Sequence, residues 1–146
     1  MVDAESAIGA IATEISRIEG IYEKWTQKHG IPYGVVQILY VLKMNDSVTQ
    51  KYISEVCEIP KQTINRIIKE LRANNYIELV PSALDKREKK VRLTTSGVAY
   101  SQKLLTPFTE LNKVVARVIG LKTLQNLSQE LGRLGDVLEK ESNKIK

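Results

Sequence analysis

The sequence predicts a mainly α-helical fold carrying one small β element, and three observations lead to it. Apolar residues recur at steps of three and four through most of the 146 residues, the period of an amphipathic helix. Only two short segments, residues 76–80 and 90–93, read as extended, and a polar, basic loop separates them. The breakers fall between the helical runs, at His29-Gly30, at Asn45-Asp46-Ser47, at Pro60 and at Gly120.

Taken in order, Ile8, Ile11, Ile15, Ile18, Tyr22 and Trp25 share one stripe and define a long first helix from Ala4 to about Lys28. His29-Gly30 ends it, because glycine accepts the left-handed conformation that follows a helix C-terminus, and Pro32 suits the start of the next element. A second helix spans about 32–43 with Val35, Val36, Leu39, Tyr40 and Leu42 on its face. Thr49 caps a short third helix reaching about Cys57, its hydroxyl accepting from a first-turn amide, and Ile53, Val56 and Cys57 form the buried side. Pro60 opens a fourth helix over 61–74, with Ile64, Ile67, Ile68 and Leu71 inward. Lys61, Gln62, Thr63, Asn65, Arg66 and Lys69 stay outside, an almost wholly hydrogen-bonding face. The two extended segments then form a hairpin with a long tip over 81–89. Thr94 or Thr95 caps a fifth helix whose stripe is Leu104, Leu105, Phe108, Leu111, Val114, Val115 and Val118, and Pro107 is expected to kink it. Beyond Gly120, Leu124, Leu127, Leu131, Leu134 and Leu138 make a narrow seam on a last helix.

Charge says where such a fold would act. Twenty-two Lys and Arg against 17 Asp and Glu give +5. Between Pro60 and Arg92, nine basic residues stand against four acidic ones, while the remainder balances thirteen against thirteen. A localised excess on an otherwise neutral chain is the footprint of a polyanion-binding module, with nucleic acid the commonest ligand. No apolar run approaches the roughly 18 residues that span a bilayer, and MVDAESAIGA has no cationic segment ahead of an apolar stretch, so a soluble cytoplasmic protein with no membrane partner is expected. One cysteine, Cys57, and one histidine, His29, supply no metal-ligand set, and there is no Gly-rich phosphate loop, HExxH or CxxC. The reading is therefore of a non-enzyme without a cofactor.

A short helix, a basic helix and two strands with a basic tip, in that order, form a helix-turn-helix with a β-wing. The N-terminal half of the fourth helix is left free for a major groove. There Gln62 and Asn65 suit adenine edges, Arg66 forks onto guanine, and the methyl of Thr63 suits a thymine methyl. Thr49, Gln50, Lys61 and Lys69 suit phosphates, which fix register without reading sequence. Lys86, Arg87 and Lys89 at the tip suit a flanking minor groove. Apolar ridges on the first and last helices predict a homodimer, with 1–30 and 104–146 as a helical dimerisation region and 31–103 as a winged helix-turn-helix DNA-binding domain.

The stretch from Thr49 to Gly97 resembles the multiple antibiotic resistance regulator (MarR) family of winged-helix transcription factors. TQKYISEVCEIPKQTINRIIKEL is similar to the family's helix-turn-helix, and DKREKKVRLTTSG to its wing signature, with Asp85, Arg87, Leu93, Thr94 and Gly97 at the matching positions. The resemblance implies a homodimer on a pseudo-palindromic double-stranded DNA operator, most often as a repressor. It implies that Arg87 enters the minor groove while Asp85 orients it or a neighbouring basic residue. It also implies release by a small amphipathic or phenolic effector bound near Trp25, His29, Tyr33 and Gln37. Some members sense peroxide through a cysteine near the first helix, but Cys57 falls at an apolar position of the third, so that mechanism does not carry over. The rival reading is a winged-helix protein-interaction adaptor without specific DNA binding, which would show apolar anchors where Gln62, Thr63, Asn65 and Arg66 stand.

Overall fold

A computed structural model describes residues 1–145. In chain order the elements are α1 (Ala4–Lys28), α2 (Tyr33–Met44), β1 (Val48–Thr49), α3 (Gln50–Cys57), α4 (Lys61–Ala73), β2 (Ile77–Pro81), β3 (Lys89–Leu93), α5 (Thr95–Ile119) and α6 (Leu121–Ser142). The chain divides into two compact units, Met1–Leu105 and Thr106–Lys146. α5 is one continuous helix with Pro107 inside it. No helix of the described residues is long and apolar enough to cross a membrane.

The first unit is built around α2, which lies against α1, α3, α4 and β3. Its core comprises Val36, Ile38, Leu39 and Leu42 of α2, Ile53 and Cys57 of α3, Ile64, Ile67, Ile68 and Leu71 of α4, and Val48, Ile77 and Val91 of the sheet. The four inward residues of α4 are those the spacing predicts. α2 departs from its prediction: Ile38, absent from the expected face, is 0% exposed, while Val35 and Tyr40 are only half-buried. A helix covered from several sides buries a wide arc, so a single-stripe reading mislocates its face.

Val56 is a second correction, since it is 52% exposed whereas Ile53 and Cys57 are buried. Residues four apart share a face, and an eight-residue helix has one narrow stripe to bury, which Ile53 and Cys57 fill. The sheet has three strands where the sequence suggested two. β3 lies between β1 and β2, antiparallel to both, with Val48 opposite Val91 and Ile77 opposite Leu93. Two residues carry no readable period, and β1 exists only because β3 supplies its hydrogen bonds.

The junctions follow local chemistry. Asp3 caps α1, its carboxylate accepting from the Ser6 amide at 2.8 Å, a bond that holds the Asp3 pKa below its ordinary value. His29 ends that helix and Gly30 takes a φ of 71°, as the Gly signal predicts. Gly120, with φ 97°, separates α5 from α6.

Candidate nucleic-acid interface

The helix-turn-helix begins at Thr49, whose Oγ1 accepts the Tyr52 amide at 3.0 Å and so starts α3 at Gln50. α3 stops at Glu58, which adopts a left-handed conformation (φ 51°), and Pro60 then leads into α4. α4 has no side-chain cap and no acidic residue in its first turn, so its own first turn does not offset the positive end of its dipole. From that end Lys61, Gln62, Asn65, Arg66 and Lys69 project into solvent, while Thr63 is half-buried.

Two grooves flank this face. One, of about 500 Å³, is lined by Gln50, Asn65, Arg66, Lys69 and Arg72 over an apolar floor of Ile68 and Leu79. The other, of about 340 Å³, lies between α3 and α4 and is walled by Gln50, Lys51, Ser54, Glu55, Lys61, Ile64 and Asn65. Gln50 and Asn65 line both. Sequence reasoning missed Arg72 and Lys51. Arg72 was legible, because Arg66, Lys69 and Arg72 follow one another at steps of three along one side of the helix. Arg66 reaches Glu70 at 3.4 Å, an exposed pair that holds the guanidinium loosely along the helix. Lys61, Lys69, Arg72, Lys86, Arg87 and Lys89 form no ion pair among the described residues.

At the wing tip Asp85 Oδ1 accepts the backbone amide of Arg87 at 2.9 Å, and Asp85 O accepts that of Glu88 at 3.1 Å. The Ser82 amide reaches Glu88 O at 3.0 Å, closing the loop across its neck. Asp85 thus shapes the main chain that carries Lys86 and Arg87, both exposed. Lower on the wing, Arg92 meets Glu78, its register partner on β2, at 2.7 Å.

The rest of the wing signature locks the wing to α5. Thr94 Oγ1 donates to Asn75 O at 2.7 Å and accepts the Gly97 amide at 3.0 Å, which identifies Thr94, not Thr95, as the cap. Ser96 Oγ also donates to Asn75 O, at 2.9 Å, and the Thr94 amide reaches Tyr76 O at 3.0 Å. A Cβ at Gly97 would sit 1.7 Å from Tyr76 O, so only glycine fits there. The Tyr76 and Tyr100 rings stack at 4.0 Å above this joint.

Away from this face, Trp25 and His29 lie ring against ring at 4.1 Å, and His29 Nδ1 is 2.9 Å from Trp25 O. Tyr33 stacks on Tyr22 at 6.3 Å and donates to Glu19. Burial, reinforced by that carboxylate, pushes the Tyr33 hydroxyl pKa far up. Gln37 is half-buried one turn further along α2. Burial also raises the Cys57 thiol, which is the environment of a small apolar side chain and not of a thiolate.

Comparison with known proteins agrees with this arrangement. Residues 29–88 match the model of the MarR family. The fold matches that of NMB1585, a MarR family regulator from Neisseria meningitidis, at 30% identity and a TM-score of 0.80, over 96% of this chain and 99% of that one. An Escherichia coli MarR mutant complexed with operator DNA has the same fold at 17% identity and a TM-score of 0.60, covering 91% of this chain and 99% of that one. The HTH-type transcriptional regulator PapX of Escherichia coli is 28% identical over 90 residues, 60% of this chain and 55% of the relative, so the match spans about half of that protein's length. With 30% identity sustained over nearly the whole of both chains, the chain belongs to the MarR family.

Proposed function

We propose that this protein is a sequence-specific double-stranded DNA-binding transcriptional regulator, a repressor, that acts in the cytoplasm as a homodimer on a pseudo-palindromic operator. The observation that carries this reading is the outward face of α4. Gln62, Asn65, Arg66 and Lys69 stand exposed on a helix with no acidic residue in its first turn, between two grooves and beside a basic wing. Thr49, Gln50, Lys61 and Lys69 take phosphates, Gln62, Thr63, Asn65 and Arg66 take base edges, and Asp85 presents Lys86, Arg87 and Lys89 to the adjoining minor groove. That face has no apolar anchor, the feature an adaptor would need. Operator binding by the Escherichia coli MarR mutant supports the same assignment by analogy of fold.

Dimerisation through 1–30 and 104–146 is supported by apolar surface that a soluble chain does not normally leave open. On α1, Ile8, Ile11, Ile15, Ile18 and Ile21 are each 41–51% exposed, and α6 has no buried residue along its leucine seam. The same reading assigns a small phenolic or otherwise amphipathic effector to Trp25, His29, Tyr33 and Gln37, a choice supported by aromatic side chains beside a few polar groups.

Fluorescence anisotropy on the DNA upstream of its own coding sequence and on a scrambled duplex, at two salt concentrations, tests the main claim. A large specific-to-scrambled ratio that survives added salt is the expected result. Equal binding, erased by salt on both that duplex and every duplex selected from a random library, sinks it. For the effector, salicylate is titrated against the complex; unchanged DNA affinity and melting temperature across a panel of phenolic carboxylates removes that part.

A further inference from the structure

We infer that Leu84, at the tip of the wing, is an apolar wedge that enters the minor groove beside Arg87 and partly unstacks a flanking base step. The inference rests on the DNA-binding reading above and adds to it a residue that reads deformability instead of base edges. Leu84 is 96% exposed, more than any other large apolar side chain among the described residues except Met1.

A loose loop does not account for this exposure. The Leu84 amide donates to Ser82 Oγ at 3.3 Å, Ser82 is itself buried, and its amide is tied to Glu88 O across the neck. On the other side the Asp85 carboxylate and carbonyl hold the amides of Arg87 and Glu88. The backbone is therefore hydrogen-bonded before and after Leu84, while its isobutyl group stands in water. Lys86, Arg87 and Lys89 follow it in the same loop, all exposed, and outnumber the exposed carboxylates Asp85 and Glu88.

That charge selects the occupant. A net positive loop with one leucine in solvent suits a partner that is anionic outside and apolar within, and duplex DNA is anionic along its backbone and apolar between its stacked bases. Minor-groove proteins combine inserted arginine with apolar side chains placed between base steps. Pyrimidine–purine steps unstack most easily, so the wedge favours operators with such a step beneath the wing.

The test uses the full-length protein and a duplex it selects from a random library, with 2-aminopurine at the step that footprinting places under the wing, and a scrambled duplex as control. Wild type should raise the 2-aminopurine fluorescence on binding, and Leu84→Ala should not. Leu84→Ala should bind the selected duplex about tenfold more weakly, the scale of losing one base pair's readout, with the scrambled duplex, the salt slope and the melting temperature unchanged. Leu84→Met should retain most of the binding. If Leu84→Ala stays within about twofold of wild type on a duplex where Arg66→Ala loses binding, the wedge is wrong and the DNA-binding reading stands. Equal losses on both duplexes also overturn the wedge, because they indicate general adhesion. Selection of no duplex at all overturns the DNA-binding reading and the wedge together.

Discussion

At Gly97 the absence of one methyl group decides whether the wing can meet α5. A Cβ there would collide with the Tyr76 carbonyl at 1.7 Å, and the obstacle is main chain, which has less room to yield than the end of a side chain. Gly97→Ala should therefore cost at least about 1–3 kcal/mol, as overpacking does, and a thermal melt unchanged from wild type would refute the assignment. Arg66 and Lys69 are neighbours to which the proposed interface gives different roles. Arg66→Ala should lose roughly 1–3 kcal/mol on the operator and relax base preference, whereas Lys69→Ala should weaken all duplexes alike and reduce the salt slope by about one. Identical behaviour of the two variants would remove Arg66 as a reader. Tyr33 answers to pH. Its folded-state pKa lies above the unfolded value, so the stability linked to its neutral form is complete below about pH 10 and drains away as pH rises beyond it. Tyr33→Phe should unfold less steeply in alkali than wild type; equal steepness would mean that another group governs that limb.

At the scale of elements, the wing tip is a turn whose side chains serve the backbone. Asp85 acts as an acceptor for the Arg87 amide, so what it contributes is an oxygen, and its charge is secondary. Asp85→Asn should keep operator affinity near wild type and Asp85→Ala should lower it severalfold; equal losses in both, measured by anisotropy, would return the role to charge. Thr49 starts α3 in the same manner, and Thr49→Ala should cost about 0.5–2 kcal/mol of stability, the usual worth of an N-cap. Helix boundaries were legible to within a residue or two because capping residues, Gly and Pro act locally. The strands moved by a residue, to Ile77–Pro81 and Lys89–Leu93, because register is set across the sheet and not along the chain. Val56 was misplaced for a related reason: its residue type is that of a core position, but which arc of a short helix is covered depends on where α2 and α4 lie.

For the whole molecule, the isoleucines of α1 and the leucines of α6 are apolar surface that a single chain leaves uncovered. If they form the dimer interface, Ile15→Glu should halve the mass seen by light scattering, abolish operator binding and leave the wing and α4 folded by circular dichroism. A variant that remains dimeric would place the interface elsewhere. The candidate site was largely readable before the fold was known, since Gln62, Asn65, Arg66 and Lys69 share one face by helical period alone. Arg72 was legible in the same way, since it continues the step of three from Arg66 and Lys69, whereas the place of Lys51 depends on how α3 walls the groove. By itself the sequence determined the order and ends of the helices, the inward face of α4 and the basic character of the wing, all of which follow from near-neighbour stereochemistry and period. Only the tertiary structure decided that β1 exists, that α2 is buried over a wide arc, that Gly97 must lack a side chain and that Leu84 is held out in water. Each of those depends on a partner distant in sequence or on a closed loop, and no local pattern encodes what a residue will meet once the chain has folded.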